Sequence, residues 1–150
     1  KVIVKYPKKE EERQIIRMNN SGEFPTVNPV IKPEDIVRAR SVVRDVYMDE
    51  KIERYIVDIV YATRTPDDYG LGRIKDLISF GASPRASISL SMASKAYAFI
   101  KRRGYVIPED VRAVCNEVLR HRIGLTYEAE AENVTTEQII AEVINAVQVP

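Results

Sequence analysis

The sequence has a single cysteine, Cys115, a single histidine, His121, and no tryptophan. One cysteine cannot form an internal disulfide or a cysteine-rich zinc site, so a reducing, cytoplasmic location is expected. One histidine leaves a histidine-based metal site or a Ser-His-Asp triad without its partners. Cys115 falls on the apolar stripe of a predicted helix and is interpreted as a buried structural thiol, and His121 as a cation at a helix end. The sequence therefore predicts no metal site.

Neither sign of charge is in excess, since 23 Lys and Arg residues oppose 22 Asp and Glu residues in a chain of 150. A net charge of +1 gives no overall field for nucleic acid or a membrane surface. No apolar run approaches the roughly 18 residues that span a bilayer, so no membrane span is expected. Neither a Gly-x-x-x-x-Gly-Lys-Ser/Thr loop nor a Gly-x-Gly-x-x-Gly loop is present. The chain alone is therefore expected to have no enzymatic activity.

The first 31 residues differ in character from the rest. The segment KVIVKYP, Lys1–Pro7, alternates β-branched residues and predicts a short strand, and its start without methionine suggests a piece of a longer protein. Lys8–Met18 predicts a helix with an acidic first turn. Asn19–Lys32 is rich in turn formers and predicts a linker. We place a domain boundary here, with residues 1–31 in one part and 32–150 in the other.

Helical periodicity dominates residues 32–150. Helices are predicted to start near Pro33, after Ser83, at Pro108 and after Thr135, and another helix has its apolar stripe on Ile52, Tyr55, Ile56, Ile59 and Val60. The helix after Ser83 is rich in small residues and is expected to pack around Ile88, Met92 and Ile100. The acidic run TYEAEAENV predicts a solvated connection, and Arg73–Phe80 is too short to assign. The predicted fold is an all-α helical bundle.

The stretch GASPRA, Gly81–Ala86, places an arginine, Arg85, in the first turn of a helix. Ser83 can cap that helix and Pro84 suits its first position. A cation there is mildly repelled by the dipole unless an anion lies nearby, and an arginine beside free backbone N–H groups suits a phosphate. An exposed surface arginine with no ligand is the alternative at this point.

Three stretches in matching order and spacing carry a family resemblance. GASPRA at Gly81–Ala86, RGYVIPEDVRAV at Arg103–Val114 and VLRHRI at Val118–Ile123 resemble the C-terminal part of MoxR-family AAA+ ATPases. YPKKEEERQII at Tyr6–Ile16 resembles the exit of that family from its ATPase core. The resemblance implies an all-α helical lid domain, preceded by a short strand and helix left over from the α/β core.

The resemblance also implies a role for the GASPRA motif. Arg85 resembles the sensor 2 arginine, which would act catalytically, and Gly81, Ala82, Ser83, Pro84 and Arg85 would form the nucleotide-binding segment. The Walker A and B motifs, sensor 1 and arginine finger would lie upstream of Lys1. The intact parent would use ATP and Mg²⁺ as an ATP hydrolase, whereas the chain alone would bind neither.

The implied partners follow from the same resemblance. The lid would contact its own upstream AAA+ core and neighbouring subunits of a homo-oligomeric ring, expected to be a hexamer. Family members are chaperone-like machines that remodel or mature client proteins, often with von Willebrand factor A domain proteins. No residue here identifies the client, and no nucleic acid is expected as a partner.

Two alternatives from other functional classes stay open. One is a nucleic-acid-binding helical domain that presents a basic face. Its candidate residues are Arg102, Arg103, Arg112, Arg120 and Arg122. The other is a plain protein-interaction bundle, in which Arg85 would have no role in any activity of the parent.

Overall fold

The structure is a computed structural model that describes residues 1–22 and 24–150. Glu23, within the predicted linker, lies outside the described residues. The chain divides into two compact units, Val2–Arg38 and Ala39–Pro150, with Lys1 grouped with the second. The domain boundary placed after residue 31 stays a prediction.

The first unit contains one complete helix, α1, Lys9–Ser21. The carboxylate of Glu11 accepts the Lys8 backbone N–H at 2.6 Å at its start, and Gly22 ends it with a φ of 70°. This helix confirms the prediction for Lys8–Met18 and extends it by three residues. The strand expected over Lys1–Pro7 is wrong, because residues 1–8 have no regular structure. A strand needs a neighbour for its backbone hydrogen bonds, and the described residues supply none there.

The helix α2, Pro33–Asp45, begins at the predicted proline but contains no buried residue. The second unit then holds most of the regular structure. Its elements are α3 Glu50–Ala62, a 3-10 helix Pro66–Tyr69, α4 Gly72–Lys75, β1 Ile78–Phe80, α5 Pro84–Ile100, α6 Pro108–Leu119, β2 Gly124–Leu125, α7 Tyr127–Ala131 and α8 Thr136–Ala146. The predicted all-α class is confirmed, since the only sheet among the described residues is the two-stranded pair of β1 and β2.

The core of the second unit forms where α3, α5, α6 and α8 meet. The predicted α3 stripe of Ile52, Tyr55, Ile56, Ile59 and Val60 is buried throughout. The apolar stripe of α6 includes the buried Cys115. The start of α8 is capped by a hydrogen bond from the Gln138 N–H to the Thr135 hydroxyl at 3.2 Å. Both helices therefore confirm the sequence pattern.

The packing face of α5 differs from the expected one. Ile88, Met92 and Ile100 are 62%, 62% and 72% exposed. The buried residues are instead spaced four apart, and they are Ala86, Leu90, Ser94 and Ala98. Three of these four side chains are small, which lets α5 approach its neighbours closely along one ridge. The close approach expected from the small residues is present, but the expected packing around Ile88, Met92 and Ile100 is wrong, because the ridge that carries the small residues faces the core instead.

Two short segments also correct the sequence reading. Arg73–Phe80, which was too short to assign, contains both the end of α4 and the strand β1. β1 pairs antiparallel with β2, with Ile78 opposite Leu125 and Phe80 opposite Gly124. The run TYEAEAENV is not a plain solvated connection, because it forms α7, whose Ala129 N–H donates to the Thr126 hydroxyl at 3.3 Å. The Thr126 cap and the acidic residues of the first turn, Glu128 and Glu130, both stabilise the start of this helix.

A buried ion pair joins the end of α5 to the start of α6. Asp110 is 1% exposed and accepts two bonds from the Arg103 guanidinium, one of them at 2.7 Å. The same carboxylate accepts the Ile107 backbone N–H at 3.0 Å, which caps α6. Burial of Asp110 opposes its ionisation, but the bonds from Arg103 and Ile107 outweigh burial, so the pKa of Asp110 lies below its usual value.

We predict that Asp110→Asn lowers the free energy of unfolding by about 2 kcal/mol at pH 7, because charged hydrogen bonds of this kind are replaced by weaker ones. Urea unfolding measures this change. The matched control is Glu50→Gln, which breaks an ion pair with Arg54 in which both side chains are more than 70% exposed (72% and 73%) and should change stability little. Equal losses in the two variants would contradict the structural role of Asp110.

The same pair gives a pH dependence with a definite sign. Because the folded pKa of Asp110 is lowered, its contribution is present above the unfolded value of about 3.9 and is lost as pH falls through the folded pKa. The stability difference between the wild-type chain and Asp110→Asn should therefore stay constant from neutral pH to about pH 5 and shrink below about pH 4.

Candidate functional site

The GASPRA motif, Gly81–Ala86, connects β1 to α5 and is fixed to the end of α3. The Ala82 N–H donates to the Thr63 hydroxyl at 2.9 Å, and that hydroxyl donates to the Val60 carbonyl at 2.7 Å. Ala82 and Thr63 are both buried, at 0% and 1% exposed. A buried hydroxyl that both donates and accepts has its hydrogen-bonding need satisfied, and this pair of bonds sets the path of the motif.

Gly81 is required by this close approach rather than by a special backbone angle. A Cβ atom at this position would lie 2.3 Å from the Thr63 carbonyl oxygen and 2.7 Å from the Arg64 Cγ. The first of these neighbours is backbone and cannot rotate away. The glycine therefore lets the motif pass directly over the last turn of α3.

The start of α5 leaves its positive end open. Ser83 is the N-cap residue, with φ −80° and ψ 170°, but its side chain accepts no capping bond, contrary to the expected cap. Pro84 occupies the first helical position, as predicted, and brings no N–H. The Ala86 N–H donates to the Ser83 carbonyl at 2.7 Å. The first turn contains no acidic residue, so nothing there neutralises the helix dipole.

Arg85 lies in this first turn, and its side chain is exposed. Within residues 1–22 and 24–150, no ion pair, side-chain hydrogen bond or ring contact involves Arg85. The guanidinium is therefore neither buried in the unit nor neutralised by it. Such an arginine beside an open helix start can bind an anion, although its role as a sensor 2 residue stays a prediction.

The other candidate groups have structural roles. Burial raises the pKa of Cys115 to about 12, which confirms an inert buried thiol. Burial and neighbouring cations, including Arg122 and Arg120, lower the pKa of His121, which favours a neutral imidazole over the expected helix-end cation. In the part of the chain that the structure describes, no group of His, Cys, Asp or Glu could hold a metal ion. No described helix is long and apolar enough to cross a bilayer.

The proposed basic face is mostly committed to bonds within the unit. Arg103 pairs with Asp110, and Arg120 pairs with Glu117 at 3.4 Å and Glu137 at 3.1 Å. The remaining bonded members are Arg112, which donates to Asn145 at 3.3 Å, and Arg122, which donates to the Ser89 hydroxyl at 3.1 Å. Four of the five arginines are thus engaged, which weakens the nucleic-acid alternative.

A cavity of about 490 Å³ adjoins Gly81. It lies between the segment after α3 and the strand β1, and Phe80 and Arg64 contribute to its wall. Phe80 is 63% exposed although it belongs to a strand. Sequence reasoning missed both residues. The cavity forms only where β1 and the end of α3 come together in the fold, so no local pattern in the sequence indicates it. The one available signal is that Phe80 directly precedes Gly81.

Comparisons with known proteins agree with this architecture. The AAA lid domain family matches residues 71–143. Chaperone MoxR1 of Mycobacterium tuberculosis is 38% identical over the whole chain, which covers 40% of that protein, and the uncharacterised YeaC of Bacillus subtilis is 36% identical, with 44% covered. The crystal structure of a candidate ATPase of Cytophaga hutchinsonii superposes with a TM-score of 0.89 at 38% identity over 98% of this chain. The chain covers 45% of that structure and so spans less than half of each of these proteins.

We predict that Gly81→Ala lowers the free energy of unfolding by about 1–3 kcal/mol, because the added methyl group meets backbone and must displace the GASPRA motif. Urea unfolding measures the loss. Gly104→Ala is the matched control, since a Cβ there meets no atom within 4 Å, and it should be neutral or slightly stabilising. A Gly81→Ala chain as stable as the Gly104→Ala chain would show that the close contact with Thr63 is not a constraint.

Proposed function

We infer that the chain carries the lid region of a MoxR-family AAA+ ATPase, and from this premise we propose that Arg85 contacts the terminal phosphate of ATP bound to the intact protein. The observation that supports this proposal is the exposed guanidinium, unpaired among the described residues, at the uncompensated start of α5. The Gly81–Pro84 segment positions that guanidinium through its contact with Thr63. Arg85 is thus a sensor 2 residue, and the lid reads the state of the nucleotide.

The physical basis of this role is a charge-assisted hydrogen bond. The planar guanidinium can donate two parallel bonds to phosphate oxygens, and the open N-terminal end of α5 adds its dipole to the same anion. ATP would therefore favour a closed lid. Loss of the terminal phosphate removes this bond and its free energy, so hydrolysis becomes movement of the lid.

The remaining parts of the site belong to the intact protein. The chain has no P-loop motif, so the residues that cradle the phosphates would come from the ATPase core. The described residues form no group that could hold a metal ion, so the Mg²⁺ ligands would also come from that core. Mg²⁺ supplies charge neutralisation on the phosphates when it is bound. Arg85 adds a contact from outside that core, as one part of a divided site.

The wider activity follows the named relatives. Because one relative is named Chaperone MoxR1, we propose that the intact protein couples ATP hydrolysis to chaperone-like remodelling or maturation of client proteins. The lid would contact its own core and the neighbouring subunits of a ring, which we propose is a homo-hexamer. von Willebrand factor A domain proteins are the proposed partners of that ring.

We predict that Arg85→Ala in the full-length protein lowers kcat/KM for ATP hydrolysis at least about tenfold, since a hydrogen bond to a charged group contributes about 1.5–3 kcal/mol. The loss of affinity should be larger for ATP than for ADP, because only ATP has the terminal phosphate. Arg85→Lys should retain part of the activity, since the charge remains but the fork geometry is lost. Steady-state hydrolysis and nucleotide titrations measure these effects.

The matched control is Arg40→Ala, which removes another exposed helical arginine. That variant should hydrolyse ATP at the wild-type rate. An Arg85→Ala protein that behaves like Arg40→Ala would contradict the sensor role and would favour the plain interaction bundle.

The isolated chain of 150 residues is predicted to hydrolyse no ATP, because it lacks a phosphate-binding loop. A phosphate-release assay on the purified chain, with the full-length protein as positive control, measures this. Turnover by the isolated chain above the background of a buffer blank would contradict the divided site.

A further inference from the structure

Arg64 directly follows Thr63 after the end of α3, and its side chain is exposed. A Cβ atom at Gly81 would lie 2.7 Å from the Arg64 Cγ, so the aliphatic stem of Arg64 lies against the first residue of the GASPRA motif. The next residue of the motif, Ala82, is bonded to the Thr63 hydroxyl at 2.9 Å. Two successive residues therefore contact the motif, Thr63 from the core and Arg64 from the surface.

The Arg64 side chain is held in this place by the ring of Tyr61. Its guanidinium carbon lies 4.2 Å from the centroid of that ring, where a cation is attracted by the negative face of the π system. The Arg64 backbone N–H also donates to the Tyr61 carbonyl at 2.8 Å. Arg64 is thus tied to Tyr61 at both ends, and the stem between these ends rests on Gly81.

The guanidinium of Arg64 is not used to neutralise a carboxylate. Across residues 1–22 and 24–150, Arg64 forms no ion pair and its side chain makes no hydrogen bond. Asp67, two residues beyond Thr65, pairs with Lys75 at 2.6 Å instead. The contacts that fix the Arg64 side chain are therefore the ring of Tyr61 and the backbone of Gly81.

The position of Gly81 affects Arg85 because little else holds the segment between them. Ser83 makes no side-chain capping bond to the start of α5, so that start depends on the contacts of Gly81 and Ala82. A shift of Gly81 would pass along four residues to Arg85. Two parallel hydrogen bonds from a guanidinium to phosphate oxygens require close alignment, and a misplacement of about 1 Å can strongly reduce activity.

We propose that Arg64 is a positioning residue, which presses the GASPRA motif against the end of α3 and so keeps Arg85 aligned with the terminal phosphate. The inference rests on the proposed sensor role of Arg85 and names the residue that holds this sensor from the surface side. Arg64 acts through Gly81 and contacts no phosphate, since its guanidinium is stacked on Tyr61. Its loss would lower the fraction of molecules with an aligned Arg85, by no more than the strength of the lost contact allows.

The test is a double-mutant cycle in the full-length protein, measured by steady-state ATP hydrolysis and by titrations with ATP and ADP. Arg64→Ala should lower kcat/KM for ATP about 2- to 30-fold, the range that corresponds to the strength of a cation–π contact. The affinity for ADP should not change, because only ATP has the phosphate that Arg85 contacts. In the Arg85→Ala background, Arg64→Ala should have no further effect.

Further variants separate positioning from a general effect on the fold. Arg64→Lys keeps a long stem and a cation for the Tyr61 ring and should retain most of the activity. Tyr61→Leu removes that ring and should reproduce the loss of Arg64→Ala, whereas Tyr61→Phe should not. Arg54→Ala removes another exposed arginine of α3 and should hydrolyse ATP at the wild-type rate.

Three results would overturn this inference while leaving the sensor role intact. One is an Arg64→Ala protein as active as Arg54→Ala. The others are an equal loss of affinity for ATP and ADP, and a loss that persists in full in the Arg85→Ala background, since either would show that Arg64 does not act through Arg85. An Arg85→Ala protein with wild-type hydrolysis and affinities would instead contradict the sensor role, and the positioning role would fall with it.

Discussion

The contact between the GASPRA motif and the last turn of α3 determines where the candidate site lies. Thr63 is buried, and its hydroxyl both accepts the Ala82 N–H and donates to the Val60 carbonyl. The carbonyl of Thr63 comes so near to Gly81 that no side chain fits there. Thr63 thus fixes the position of the backbone that leads into α5. The direction of Arg85 and the opening of the cavity follow from it.

The packing of α5 complements this contact. A ridge with Ala86, Leu90, Ser94 and Ala98 faces the core, and its small side chains allow close approach to α3 and α6. Arg85 precedes the first ridge residue and stays exposed, since adjacent helical residues point about 100° apart. The burial of Ala86 therefore turns the neighbouring guanidinium to the surface. The same periodicity leaves Ile88 and Met92 on exposed sides of the helix.

Sequence periodicity was sufficient for the helices whose stripes consist of large apolar residues. The α3 stripe and the start of α8 after Thr135 were both predicted and are present. The face of α5 could not be predicted in this way, because its ridge is defined by close approach and not by hydrophobicity. The burial of Asp110 was not predicted, because its partner, Arg103, lies seven residues earlier in the chain. Residue spacing alone does not indicate that the Arg103 side chain crosses the turn to contact Asp110.

One part of the candidate site could be predicted from the sequence and another part could not. Arg85 could be proposed from the residues that signal a helix start and from the family resemblance, since both depend on adjacent residues. The cavity forms between the segment that follows α3, residues 63–68, and the strand β1 with Gly81. No local pattern marks Phe80 as different from any other strand aromatic. Its position beside the cavity follows from the pairing of β1 with β2, which was not predicted.

The contacts of α5 with α3 and α6 determine how a movement at Arg85 would be transmitted through the second unit. The start of α5 is bonded to α3 through Thr63, and its end is bonded to α6 through the Arg103–Asp110 pair. Arg122 adds a bond from the end of α6 to Ser89 in the middle of α5. A helix tied at both ends and along its length cannot tilt alone without breaking buried bonds. Force applied at Arg85 would therefore move these helices as one body, so the proposed phosphate contact would bias the position of all of them together.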